Sequence, residues 1–195
     1  MPPHLPVMTQ YDITVRQGLP EDMQTLLREY PRDAWPDHPN FAASIERWMG
    51  AHTMFRQIAE IVAVDTEEML DKKLDPDWYA MRLGHFGNAL VRNLHGHHTW
   101  EDRKFFPELM AADDRFIDGL EMLEADHHEM DGLLDGLVQS SNRFIKLMDL
   151  SRRDAPNELP DVLTNAQAIQ RFLDRHLTDE EDLTVPILLH HKLRG

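Results

Sequence analysis

The sequence contains no cysteine. This absence excludes disulfide bonds, iron–sulfur clusters, zinc sites built on thiolates and catalysis by a thiol. Any redox chemistry of this chain must therefore use other atoms.

Long apolar runs and basic residues are also scarce. No apolar stretch reaches about 18 residues, and the opening string MPPHLPVMTQYDITVRQG has no apolar run of signal-peptide length. Lys and Arg number 20 against 35 Asp and Glu, which gives a formal net charge of −15. Such a charge repels nucleic acids and anionic membrane surfaces. We therefore expect a soluble, cytoplasmic protein with no nucleic-acid or membrane partner.

Apolar residues recur at alternating steps of four and three in four segments, which predicts four amphipathic helices. The seams cover residues 41–62, 83–105, 116–148 and 162–187. Narrow seams with a period near 3.5 are typical of antiparallel bundles with coiled-coil-like packing. The sequence thus predicts an all-α, antiparallel four-helix bundle. Asn40 and Asp75 are the expected N-caps of the first two helices, Pro107 should stop or kink the second, and Asp161 should begin the fourth.

The first 39 residues differ from the rest of the chain. Proline and glycine are frequent there, residues 21–30 predict one short helix, and the string PRDAWPDHPN breaks it. We expect residues 1–39 to form an N-terminal helical extension packed on the bundle, and residues 40–195 to form the bundle itself.

Six polar residues interrupt the apolar seams. Each seam carries one histidine, and on two seams a glutamate follows four residues later, on the same helix face. The six are His52, His97, Glu101, His127, His176 and Glu180. A lone histidine precedes a His-x-x-x-Glu pair in each half of the chain, so the halves should be related by an approximate two-fold axis.

These side chains suit a pair of metal ions. Imidazole and carboxylate together bind iron, manganese or zinc, and a carboxylate has two oxygens with which to bridge two cations. Four histidines and two glutamates leave coordination positions open for water, dioxygen or another small ligand. Without cations, two buried glutamates would cost several kcal/mol each unless protonated or paired.

The strings HHTWEDRKFFPEL and HLTDEEDLTVPIL, with His52 and His127 upstream, resemble the two units of the hemerythrin-like HHE cation-binding family. The resemblance covers residues 40–190. It implies a hemerythrin-like bundle with a non-haem centre of two iron ions, in which Glu101 and Glu180 bridge and the four histidines are terminal ligands. The preference for iron rests on this resemblance alone, since such sites also accept zinc and manganese.

The sequence departs from two members of that family. Oxygen-carrying hemerythrins have His-x-x-x-His on the third helix, whereas Asp131 follows His127 here. Iron-centre repair proteins carry a cysteine-containing domain that this chain lacks. Glu181 is an alternative to Glu180 as the bridge. His98 and His128 are expected on the surface or behind the ligands, and they would replace the neighbouring His97 and His127 if the helix register were shifted by one residue.

Two functions lead. One is binding or sensing of a small oxidant, namely dioxygen, nitric oxide or peroxide, at open metal positions. The alternative is an oxidoreductase that consumes peroxide or nitric oxide with electrons from an external donor, since no cysteine pair is present. The third hypothesis is iron buffering, and the fourth is a metal-free bundle that serves as an interaction module. All but the last use the same residues, so the sequence leaves enzymatic turnover open and does not predict the oligomeric state.

Overall fold

The computed structural model describes residues 11–194, and within them it is helical with no strand. The α-helices are α1 Thr25–Glu29, α2 Ala43–Leu70, α3 Pro76–Trp100, α4 Phe106–Ala112, α5 Ile117–Leu150 and α6 Leu159–His191. Short 3₁₀ turns cover Glu21–Met23, Arg32–Ala34, Asp114–Phe116 and Ala155–Glu158.

The four long helices form the bundle. Helix α2 packs against α3 and α6, and α5 packs against the same two helices, so the four close into a ring. The connections between successive long helices are short compared with the helices themselves, which makes neighbours antiparallel. The predicted all-α four-helix bundle with a short N-terminal helical extension is confirmed.

The helix ends follow the sequence signals only in part. The Asp75 carboxylate accepts hydrogen bonds from the backbone N–H groups of Asp77 and Trp78, at 3.1 and 2.9 Å, as expected of an N-cap. Asn40 is not a cap, because α2 begins at Ala43. Its side-chain amide instead donates to the Leu189 carbonyl at 2.9 Å, which ties the chain before α2 to the end of α6. Helix α6 begins two residues before Asp161.

The second long helix changes its winding where the kink was expected. Residues Glu101–Phe105 form a π-helical turn between α3 and α4, and the Phe106 N–H donates to the Glu101 carbonyl. Pro107 has no N–H with which to continue the regular ladder, so the wider turn accommodates it. The turn leaves Glu101 and Phe105 both buried on the inner face.

The apolar core falls into two clusters, one toward each end of the bundle. One cluster includes Phe55, Leu134 and Ile169, and the other includes Leu120 and Leu188. The polar seam residues occupy the layer between the two clusters. Apolar side chains therefore enclose that layer along the bundle axis and limit the entry of water.

The N-terminal segment, residues 11–42, packs on the bundle through α1 and α6. Its buried apolar side chains are Ile13, Leu19, Met23, Leu26 and Trp35. A domain boundary at residue 40 stays a prediction, and part of the proposed extension lies outside the described residues. Among the helices of the described part, none has the length and apolarity needed to cross a membrane.

Candidate metal centre

All six predicted ligands point into the layer between the two apolar clusters, one or two from each long helix or its π-turn. Four of them, His52, Glu101, His176 and Glu180, have 0% relative exposure. The His97 side chain, at 10%, is the most open of the set.

The first cluster consists of His52, His97, Glu101 and Glu180. Their potential ligand atoms all lie within 4.8 Å of one another. The His52 and His97 Nε2 atoms are 3.0 Å apart. The Glu101 Oε1 atom lies 2.8 Å from His97 Nε2, and Glu180 Oε2 lies 3.4 Å from His52 Nε2. Two imidazoles and two carboxylates thus surround one point.

The second cluster consists of His98, His127 and His176, again within 4.8 Å of one another. The rings of His98 and His127 stack with centroids 3.9 Å apart and an interplanar angle of 8°. The expectation that His98 lies on the surface or behind the ligands is wrong, because it is 3% exposed and aims into the centre. His98 follows the buried Leu94 by four residues, so it lies on the same inner face of the helix as Leu94.

The two glutamates connect the clusters. Glu101 Oε2 lies 3.8 Å from His127 Nε2, while its other oxygen contacts the first cluster. Glu180 Oε2 lies 3.9 Å from His176 Nε2 and 3.4 Å from His52 Nε2. Each carboxylate therefore faces both groups of histidines, which is the arrangement that bridging ligands require.

Carboxylates behind the histidines hold three of the rings by their Nδ1 atoms. The pairs are His127 with Asp102 at 2.6 Å, His176 with Asp126 at 3.1 Å and His52 with Glu181 at 2.9 Å. A hydrogen bond at Nδ1 leaves Nε2 free as an acceptor of a metal ion and fixes the ring orientation. All three Nε2 atoms point toward the shared layer.

These outer carboxylates bear on the choice between Glu180 and Glu181 as the bridge, and the structure also places Asp131. Glu181 contacts the outer nitrogen of His52 and belongs to neither cluster, so the geometry favours Glu180 as the bridge. The Asp131 side chain is 52% exposed and lies near His95 rather than in the centre. Sequence reasoning missed Asp126, because its contact with His176 has no local spacing signal.

Several buried polar atoms in this layer have no hydrogen-bond partner among the described residues. They are both ring nitrogens of His98, Nε2 of His127 and His176, Oε2 of Glu101 and both carboxylate oxygens of Glu180. A buried polar atom left unpaired costs about 1–3 kcal/mol. Such atoms are rare in native proteins, and a group of them around one point fits a pair of cations.

The pKa values of the two glutamates are also those expected of a site that binds cations. Burial, together with the negative charge of Glu101, raises the pKa of Glu180 well above its ordinary value. Burial also acts to raise the pKa of Glu101, but the hydrogen bond from His97 and the nearby histidines lower it to about 2. The two carboxylates are thus shifted in opposite directions: the surroundings favour the ionised form of Glu101 and the protonated form of Glu180. Cations between them would favour the ionised form of both.

Burial favours the neutral form of three of the imidazoles, which is the form that binds metals. Burial lowers the pKa of His52, lowers that of His98 well below its ordinary value, and lowers that of His176 to about 4. The centre thus presents neutral nitrogen donors and carboxylate oxygens in a dry layer.

Residues 43–188 match the family model described as Hemerythrin HHE cation binding domain. No curated protein and no solved structure matches the chain. The match covers well over half of the sequence and contains every member of both clusters. It begins at the start of α2, so the N-terminal segment lies outside it.

Proposed function

The chain belongs to the hemerythrin HHE cation-binding family, and from this membership we propose that it holds two iron ions and binds or senses a small oxidant at their open positions. The oxidant would be dioxygen, nitric oxide or peroxide. The observation that carries the proposal is the convergence of unpartnered ring nitrogens and carboxylate oxygens on the layer between the two apolar clusters.

The proposed ligands divide unevenly. His52 and His97 would hold one ion, and His98, His127 and His176 would hold the other, with Glu101 and Glu180 shared. His98 thus supplies the additional imidazole that the third helix lacks at Asp131. The ion on the side of His52 would keep more open positions, so we propose that the small ligand binds there.

A pair of iron ions with open positions supplies binding of, or electron transfer to, a small oxygen- or nitrogen-containing ligand. The protein contributes exclusion of water and selection by size. His52, Glu101, His176 and Glu180 are fully buried, so a large substrate cannot reach the proposed ions without unfolding the layer. This burial favours a ligand of two or three non-hydrogen atoms.

A small cavity borders the centre on one side. It has a volume of about 140 Å³ and is lined by Trp48, Trp100, Phe105 and Arg194, among others. Pockets for drug-sized molecules are about 300–1,000 Å³. The Trp48 indole separates the cavity from Glu101, to which it is hydrogen-bonded. The cavity therefore suits a small ligand on its way to the centre better than an organic substrate.

The test is a spectroscopic titration of the full chain, reconstituted anaerobically with ferrous iron. We expect a charge-transfer absorption band to change on adding dioxygen, nitric oxide or hydrogen peroxide, with saturation at one ligand per chain. Repeated consumption of peroxide or nitric oxide in the presence of a reductant would instead favour the oxidoreductase alternative. A chain that takes up no iron would refute both.

A further inference from the structure

An arginine from the N-terminal segment lies buried beside the centre. The Arg16 side chain is 1% exposed, although it belongs to residues outside the family match. Its Nη2 atom donates to Asp126 Oδ2 at 2.5 Å, and its Nε atom donates to Asp179 Oδ2 at 2.7 Å. Burying a guanidinium and two carboxylates is costly unless they pair, so these three side chains depend on one another.

Asp126 connects this arginine to the proposed metal ligands. The oxygen that accepts from Arg16 is also 3.1 Å from His176 Nδ1. The order is therefore guanidinium, carboxylate and imidazole, with both steps at hydrogen-bond distance, and the imidazole belongs to the second cluster.

The same order recurs at the first cluster. Arg32, also in the N-terminal segment, donates to Glu181 Oε2 at 2.7 Å, and the other oxygen of Glu181 lies 2.9 Å from His52 Nδ1. This arginine is more open, at 42% side-chain exposure, and it also pairs with Asp182 at 2.7 Å. Thus one segment supplies a cation to an outer carboxylate at each cluster.

The third outer carboxylate shows why the arginines are needed. Asp102, which holds His127, is 24% exposed, so water can solvate its charge. Asp126 is 4% exposed and Asp179 is 0% exposed. Burying a carboxylate is costly without a nearby cation. Arg16 lies at hydrogen-bond distance from both carboxylates, and Arg175 also pairs with Asp179.

We propose that Arg16 and Arg32 are positioning residues through which the N-terminal segment raises the reduction potential of the metal pair. The inference rests on the proposed function. An imidazole that donates its Nδ1–H to a carboxylate becomes a stronger metal donor, which favours the more highly charged ferric state. A guanidinium on that carboxylate withdraws the negative charge and adds a positive one nearby, and both effects favour the ferrous state.

The two arginines should differ in how far they shift the reduction potential. Water and salt screen an exposed charge far more than a buried one. Arg16 is almost fully buried and Arg32 is partly open, and Arg56 also contacts Glu181, at 3.3 Å. Loss of Arg16 should therefore shift the potential further than loss of Arg32.

The test is the midpoint potential of the full-length, iron-loaded protein, measured by spectroelectrochemical titration after metal content has been determined. Arg16→Gln and Arg32→Gln are each expected to lower the potential, the former more. The matched control is Arg143→Gln, since Arg143 pairs with Glu158 and Asp161 on the surface. It lies on α5 about 24 Å from His127, and its loss should leave the potential unchanged.

Two further variants separate charge from structure. Arg16→Lys keeps the positive charge, and Arg16→Gln combined with Asp179→Asn restores the local charge balance. Both are expected to return the potential toward the wild-type value; if neither does, the inference is overturned. Should Arg16→Gln fail to fold, the more exposed Arg32→Gln still gives the result.

The outcomes distinguish the two levels of the proposal. If the wild type holds two irons and both Arg16→Gln and Arg32→Gln have the same midpoint potential as the wild type, this inference is overturned. The proposed function then still stands. A wild-type chain that retains no metal overturns the proposed function, and this inference with it.

Discussion

The indole of Trp48 donates a hydrogen bond to Glu101, with Nε1 and Oε1 2.7 Å apart and both groups buried. The same indole packs edge-on against the His52 ring, with centroids 4.3 Å apart. Because Oε1 is engaged by Trp48 and His97, the other oxygen of Glu101 is left facing the second cluster. A side chain outside the proposed ligand set thus orients a carboxylate that we propose as a bridge.

Trp48→Phe tests this contact. The substitution keeps an aromatic ring but removes the donor to an ionised carboxylate, so the metal-free protein should lose about 1–3 kcal/mol of unfolding free energy. Urea denaturation of the metal-free protein measures it. Trp78→Phe is the matched control, because Trp78 is 42% exposed and its replacement should change stability by no more than about 0.5 kcal/mol. Equal losses in the two variants would contradict the proposed role.

His98→Leu should move stability and metal content in opposite directions. The buried His98 ring has no partner for either nitrogen among the described residues, so an apolar side chain of similar size should stabilise the metal-free protein by about 1–3 kcal/mol. The same variant should retain about half of the iron, because the second cluster loses an imidazole. Metal analysis and thermal unfolding measure both effects. His128→Ala, on the exposed face of α5, is the control, and a His98→Leu variant with full iron content would refute ligation by His98.

Glu180→Gln and Glu101→Gln should differ in the metal-free protein. The raised pKa of Glu180 favours its protonated form, and glutamine resembles that form, so stability should hardly change. Glu101 has its pKa lowered to about 2 and accepts from Trp48 as a carboxylate. Its replacement should cost about 1–3 kcal/mol. Both variants should lose iron, and equal stability of the two metal-free variants would contradict the assigned protonation.

Acid should destabilise the metal-free protein through His176. Burial lowers its pKa to about 4, against an ordinary value of 6.5. Between these two values the unfolded chain therefore binds a proton that the folded chain does not. The stability that depends on a neutral His176 is complete above about pH 6.5 and is lost as the pH falls toward 4. At about 1.4 kcal/mol per pKa unit, it amounts to about 3 kcal/mol. Comparing urea unfolding of the wild type and His176→Leu across this range isolates it, and a difference independent of pH would contradict the shift.

The sequence predicts the parts of this protein that repeat along one helix. The seams place His127 and Glu180 inside by spacing alone, and the structure buries both. His98 was missed because only one residue of each turn was assigned to the seam, whereas a bundle interior admits two adjacent positions. Its distance of four residues from the buried Leu94 was the available signal.

The remaining features depend on contacts between distant parts of the chain. Arg16 and Asp126 are 110 residues apart, and nothing in the pattern around either of them indicates that they meet. The π-turn after Trp100 likewise cannot be predicted from residue spacing. Pro107 predicts a break in the helical hydrogen bonds but does not indicate which hydrogen bonds replace them. Periodicity gives faces of helices, while pairing between faces is decided by tertiary packing.

The most direct test of the two-metal centre is the iron content of the chain after anaerobic loading and removal of unbound metal. The wild type should retain two irons per chain, one for each histidine cluster. Glu101→Ala and His176→Ala should retain less than half of that amount. His190→Ala should match the wild type, because that exposed ring contacts Tyr30 rather than the centre. Equal iron content in all four proteins, or a wild type without iron, would contradict the account.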